Sequence, residues 1–96
     1  MIGSNTRDKT KFRQVILQRI YLIDRRTSLD FSVELVSRKL NVSANYYYQI
    51  ENGQKGKNLP VCLLLRIAKA LEMDRHDILD FENEYIELLK AHNQSG

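Results

Sequence analysis

The sequence predicts an all-α chain, a compact five-helix bundle with a further helix available at the C-terminus. Three observations predict it. Apolar residues recur at steps of three and four, as on one face of a helix. No stretch alternates apolar and polar residues as a half-buried strand does. Helix starts and stops, marked by Ser32, Ser43, Gly53, Pro60 and Asp74, divide the 96 residues into short segments.

Residues 1–9 read as a flexible, polar arm. From Lys11 the pattern turns helical: Phe12, Val15, Ile16, Ile20 and Ile23 form a stripe, and neither proline nor glycine interrupts Lys11–Arg26. A long first helix is expected there, ending near the TSLD stretch. Ser32 can cap a second helix whose apolar face is Val33, Leu35, Val36 and Leu40. Asn41 tolerates the left-handed conformation that ends a helix. Ser43 can cap a third helix running to Asn52, and Gly53 terminates it. After a loop bearing Lys55 and Lys57, Pro60 suits the first turn of a fourth helix with Leu64, Ile67, Ala68 and Leu71 inside. Asp74 can cap a short fifth helix, RHDILDF. Tyr85, Ile86, Leu88 and Leu89 mark one more amphipathic stretch. The expected organisation is an arm at 1–9, a folded domain at 10–81, and an amphipathic helix with a polar tail at 82–96.

Composition narrows the class. With 43% hydrophobic and 28% charged residues, the chain should fold as a soluble globule rather than stay disordered. No apolar run approaches the roughly 20 residues of a membrane span, so no membrane partner is expected. The N-terminus lacks the pattern of an export signal. A single cysteine, Cys62, excludes an intramolecular disulfide. These features suggest a cytoplasmic location. Residues 1–60 carry 11 Lys/Arg against five Asp/Glu, and residues 61–96 carry four against seven. The first segment is therefore the candidate for phosphate contact.

Residues 32–53 carry the sharpest signal. Two short helices joined by the tight turn LNVS have the outline of a helix-turn-helix, whose second helix enters the DNA major groove. The stretch FSVELVSRKLNVSANYYYQIENG, with RIAKALEMDRHDILDF downstream, resembles the phage-repressor-like helix-turn-helix family of Cro/cI type, also called XRE. The matching residues are Ser32, Val36, Leu40, Val42, Ser43, Ile50, Glu51, Gly53, Ala68, Ala70 and Leu71. The resemblance covers roughly residues 12–81. The chain departs from the family pattern at Val33, where a glutamine is usual, and at Ser37, where an alanine is usual. Asn41 replaces the turn glycine, and Tyr47 replaces the inner isoleucine of the recognition helix.

At about 100° per residue, Tyr47 lies about 60° from Ile50 on the inner side, while Asn45, Gln49 and Asn52 fall together on the opposite side. Tyr48 borders that amide face and Tyr46 flanks its other edge. Asn and Gln can bond the N6 and N7 edge of adenine in a bidentate way. The resemblance implies base contacts from Ala44, Asn45 and Gln49, with Tyr48 beside them. It implies backbone contacts from Ser43 and Asn52. Lys55, Lys57 and the Tyr46 hydroxyl would add to these. The Ser32 hydroxyl and the N–H groups at the helix start around Val33 could hold a phosphate even without the family glutamine. Glu51 matches a glutamate that pairs with an arginine of the first helix, and Arg26 is the best-placed partner.

The expected function is therefore a sequence-specific, double-stranded DNA-binding transcriptional regulator without enzymatic activity. By resemblance it would be a homodimer on a palindromic operator. The alternative is a protein-interaction module, an antitoxin or adaptor, motivated by the apolar positions Cys62, Leu63, Tyr85, Leu88 and Leu89. His76, His92 and Cys62 show no ligand spacing, so neither metal nor cofactor is expected. Asp77, Asp80, Glu82, Glu84 and Glu87 read as a solvated face rather than an acid–base pair. Cys62 and Leu63 read as local core.

Overall fold

A computed structural model of the chain describes residues 16–55 and 58–94. The expected arm at 1–9, the first turns of the expected first helix and Lys57 lie outside the described residues. Within them are five α-helices and no strand: α1 (Ile20–Ser28), α2 (Val33–Leu40), α3 (Ala44–Glu51), α4 (Val61–Ala70) and α5 (Arg75–Gln94). Leu22, Val36, Leu40, Tyr47, Ile50, Ile67, Leu71 and Ile78, drawn from all five helices and the α4 terminus, form the centre of one apolar cluster.

Helices α1 to α4 all stop by the same device. The residue after the helical end turns left-handed. Its N–H bonds back three residues and the next N–H bonds back five, which satisfies carbonyls that the helix leaves unpaired. At Asn41 (φ 60°) these bonds run to Arg38 and from Val42 to Ser37. Asp30, Gly53 and Glu72 occupy the same position in the other three. Only residue 53 is glycine, and the reason is local. A Cβ there would collide with the Leu17 carbonyl oxygen and lie 2.9 Å from the Tyr85 hydroxyl. The starts are capped as the side chains suggest. Ser32 Oγ accepts from Leu35 N–H and Ser43 Oγ from Tyr46 N–H, each at 3.0 Å. Asp74 Oδ1 accepts from His76 N–H at 2.8 Å, a bond that holds the Asp74 carboxyl below its ordinary range. Pro60 stands just before α4, at the cap position rather than inside the first turn.

Two expectations about helix boundaries are corrected. The first helix does not include Ile16–Arg19. Backbone groups of this segment are engaged elsewhere: Arg19 N–H donates to the Glu51 carbonyl at 2.7 Å, and the Leu17 carbonyl accepts the Tyr85 hydroxyl at 2.9 Å. Ile16 and Ile20, expected inside, are exposed, and Leu22 is the fully buried residue of α1. The short fifth helix and the amphipathic stretch after it are one helix without a break. Ile78, Glu82, Tyr85 and Leu89 recur at helical spacing and form its buried stripe.

That stripe corrects a third expectation, because Glu82 is buried rather than solvated. It pairs with Arg19, whose side chain is fully buried. Arg19 Nε donates to Glu82 Oε1 at 2.9 Å and Nη2 to Oε2 at 2.8 Å. Arg19 Nη1 donates to the Ile50 carbonyl at 2.9 Å and to the Lys55 carbonyl at 3.3 Å. The guanidinium lies 4.4 Å from the centre of the Tyr85 ring, a cation–π contact. Tyr21 donates its hydroxyl to Glu82 Oε1 at 2.7 Å and stacks on Phe81 with ring centres 5.3 Å apart. Burial works to lower the Arg19 pKa, but the bonds and charge of Glu82 outweigh it and raise it. Burial and the Glu82 carboxylate push the Tyr21 hydroxyl up, so it stays a neutral donor.

Removing one partner of a buried ion pair strands the other. Arg19→Met or Glu82→Gln is therefore expected to lose about 3–5 kcal/mol of stability in urea denaturation. The Arg19→Met/Glu82→Gln double variant should lose less than the two single losses added together; strict additivity would show that the pair is not coupled. Tyr47 presents the opposite case. Its side chain is fully buried, and among the described residues its hydroxyl has no hydrogen-bonding partner in range, the nearby Glu51 carboxylate being held by Arg26. Burial, with the nearby charge of Glu51, pushes its pKa up. Tyr47→Phe should raise the thermal midpoint, because it removes an unsatisfied buried group that costs about 1–3 kcal/mol. A lower midpoint would refute this account of the hydroxyl.

Candidate nucleic-acid interface

The α2–turn–α3 unit begins with the two serine caps and the Asn41 terminus. Val42 N–H bonds to Ser37, and the turn then passes directly into the Ser43 cap. Ser37 is buried at the contact between α2 and its neighbours, where a small side chain lets backbones approach. Helix α3 turns Tyr47, Ile50 and Glu51 inward. Glu51 is held by α1: Arg26 Nε donates to Oε2 at 2.7 Å and Nη2 to Oε1 at 3.0 Å. Arg26 Nη1 also reaches the Phe31 carbonyl at 3.1 Å. This bidentate, charge-assisted pairing raises the Arg26 pKa. Arg26 and Glu51 thus fix the inner side of α3 to α1.

The outer side of α3 is open. Asn45 and Tyr48 are exposed, and Ala44, Tyr46, Gln49 and Asn52 are half-buried. An open hollow of about 490 Å³ runs between the N-terminal turns of α2 and α3. Its lining brings Ser32 and Val33 together with Ala44, Asn45 and Tyr48, and it includes Arg26 and Glu34. Five of the expected contact residues therefore share one concave surface. The other described ones lie outside that lining. Gln49 receives the loop, its carbonyl accepting from Gln54 N–H at 2.9 Å and Lys55 N–H at 3.2 Å. Lys55 is exposed, with its backbone tied on both sides, to Gln49 and to Arg19. Asn52 Oδ1 accepts from Gln18 Nε2 at 2.9 Å. Ser43 is exposed at the start of α3.

Three residues of this region escaped the sequence reading. Arg19 looked like an interruption of an apolar run, yet it binds the last carbonyls of α3. Glu82 looked like one acid among several. The signal available was its spacing, four residues after Ile78 and three before Tyr85. Glu34 places a carboxylate in the hollow itself, and nothing in its spacing marks it. Among the apolar positions, Tyr85 and Leu89 are buried, while Cys62 and Leu88 are exposed and Leu63 is half-buried. The expectation that Cys62 belongs to the local core is therefore corrected.

A comparison with known families gives one match. The family model described as Helix-turn-helix (HTH_3) covers residues 22–78, more than half of the chain. The matched span begins at Leu22 and ends at Ile78, both fully buried, and it contains the whole hollow. Arg19 and Glu82 lie outside it. No curated protein and no solved structure gives a significant match. The caps, the turn, the inward Glu51 and this match agree: the chain belongs to the Cro/cI-type (XRE) helix-turn-helix family of DNA-binding regulators.

Proposed function

We propose that the protein is a sequence-specific, double-stranded DNA-binding transcriptional regulator of the repressor-like kind. It acts in the cytoplasm as a homodimer on a palindromic operator and without enzymatic activity. Helix α3 enters the major groove. One observation carries this reading: the exposed Asn45 stands with Ala44 and Tyr48 on the concave surface that also holds the start of α2. An amide on such a surface can read adenine, and Ala44 can touch a thymine methyl. Gln49 extends the amide face one turn along α3. The Ser32 hydroxyl, the Val33 N–H and Ser43 stand at helix starts, where backbone donors favour a phosphate. Lys55 with Asn52 would hold the backbone at the other end of α3, and Lys57 and the Tyr46 hydroxyl would add to the backbone contacts. Glu34 also lines the hollow and can accept from the cytosine amino group. Two-fold symmetry of the protein would match two half-sites about one helical turn apart.

A second reading keeps a protein partner. Phe81 and Leu88 are exposed, seven residues apart on α5, and that spacing puts them on one side of the helix. An antitoxin-like or adaptor role on this face is compatible with operator binding. Co-purification of a stoichiometric partner would support it.

Selection of duplexes from a random pool should yield a consensus. Asn45→Ala and Gln49→Ala are expected to lose about 1–3 kcal/mol of discrimination at one position each. Equal affinity for every duplex, unchanged in both variants, would overturn the proposal. Lys55→Gln should weaken all duplexes alike and lower the salt slope by about one. A change of consensus in that variant would instead make Lys55 a base reader.

A further inference from the structure

Helices α2 and α4 end beside one another. Their last residues, Leu40 and Ala70, line a second hollow of about 440 Å³ together with Lys39, Arg66 and Lys69. Leu40 and Ala70 are buried and form an apolar floor. Arg66 Nη2 donates to the Leu40 carbonyl, which caps α2. The Lys39 ammonium lies 5.3 Å from the centre of the Phe31 ring. Among the described residues, the ion pairs involve none of these three cations.

Helix C-termini attract cations, so part of this charge has a structural cause. Each helix end carries roughly half a negative charge. Two ends offset about one of the three positive charges, and about two remain. A concavity of this size is on the scale of small-molecule sites, which combine an apolar surface with a few convergent polar groups. The hollow also differs from the one beside Asn45. It sits at the C-terminal end of α2, about 10 Å along the helix from Val33.

We propose that this hollow binds a small multivalent anion bearing phosphate or carboxylate groups, with the rest of the ligand against Leu40 and Ala70. Lys39 and Lys69 hold the anion from α2 and α4, and Arg66, fixed on the Leu40 carbonyl, orients toward it. Binding links α2 to α4 on a face separate from α3. All three cations are exposed to water, so the affinity is modest and depends on salt.

Calorimetry on the full chain at constant ionic strength tests this, with pyrophosphate and citrate as probes. At least one probe should saturate one-to-one with a Kd below about 1 mM. Lys39→Gln/Lys69→Gln should weaken binding about tenfold or more, each lost charge-assisted bond contributing to that factor. Asn45→Ala should bind as the parent does. Absence of saturation by both probes, or equal binding by the double variant, overturns the proposal. Phosphate can also come from duplex DNA. If the double variant loses duplex affinity while neither probe binds the parent, the cations serve the DNA backbone and the proposal fails. Loss of probe binding with unchanged duplex affinity supports the free anion. The operator reading stands or falls separately, on duplex selection.

Discussion

The buried guanidinium of Arg19 is the constraint on which the arrangement depends. A cation without water must find acceptors, and Arg19 finds them on segments far apart in sequence: Glu82 on α5, Ile50 at the end of α3, and Lys55 in the loop. The carbonyls at a helix C-terminus lack partners within the helix. Arg19 supplies two for α3, through its side chain to Ile50 and its backbone N–H to Glu51. Helix α3 is therefore fixed at three places: Ser43 at its start, Arg26 on Glu51 along its inner side, and Arg19 at its end. The last of these makes the setting of α3 depend on α5. An ion pair of this kind adds little net stability compared with a well-packed apolar alternative. Its effect here is on geometry, because few arrangements satisfy one planar donor fork from three directions.

Conformational cost in the described residues falls at the helix ends and on the inner face of α3. Three of four helix ends place a side chain in the left-handed region, at Asp30, Asn41 and Glu72, at a cost of order 1 kcal/mol each. All three are exposed. At Gly53 the strand of residues before α1 and the Tyr85 hydroxyl press against the backbone, so the same conformation excludes a Cβ. The unsatisfied hydroxyl of Tyr47 lies on the inner face of the same helix. Close packing of residues 17–19 onto the end of α3 explains both the glycine and the absence of helix in that segment.

What was legible in the sequence were features whose cause is local. Serine before an apolar run gave the two caps, Asn41 and Gly53 gave two helix ends, and Tyr47 with Ile50 followed from angular position alone. Within the described residues, the all-α class and the helix order came from periodicity. The helix start at Ile20 was not legible, because Ile16–Arg19 have the composition of a helix and lose it to hydrogen bonds to the Glu51 carbonyl and from the Tyr85 hydroxyl. The unbroken α5 was missed for a related reason. Its polar middle, DFENE, contains no breaker, and only the burial of Glu82 reveals which face is inward. Of the candidate interface, the outward positions of Asn45 and Tyr48 followed from the helical wheel, and Ala44 from the family resemblance. Its pairing with Glu34 and Val33 required the angle between two helices, which no spacing within one helix encodes.

Charge shows the same limit with a functional consequence. The segment 1–60 is strongly basic by count, yet two of its arginines, Arg19 and Arg26, are held in internal ion pairs. Their charge is neutralised within the fold and contributes little to the outer potential. The hollow beside Asn45 contains Glu34, while Lys39 of the same segment faces the opposite end of α2, next to Arg66 and Lys69 of the acidic half. Among the described residues, this positive charge thus collects away from the amide face. An interface with this distribution must draw more of its selectivity from neutral amides and backbone donors than from cations. In the proposed reading, its phosphate contacts would lie at the two ends of α3, at the serine-capped helix starts and at the Lys55 loop. Phosphate contacts at both ends would set the register of the helix in the groove, and that register would allow so short an amide face to select a sequence.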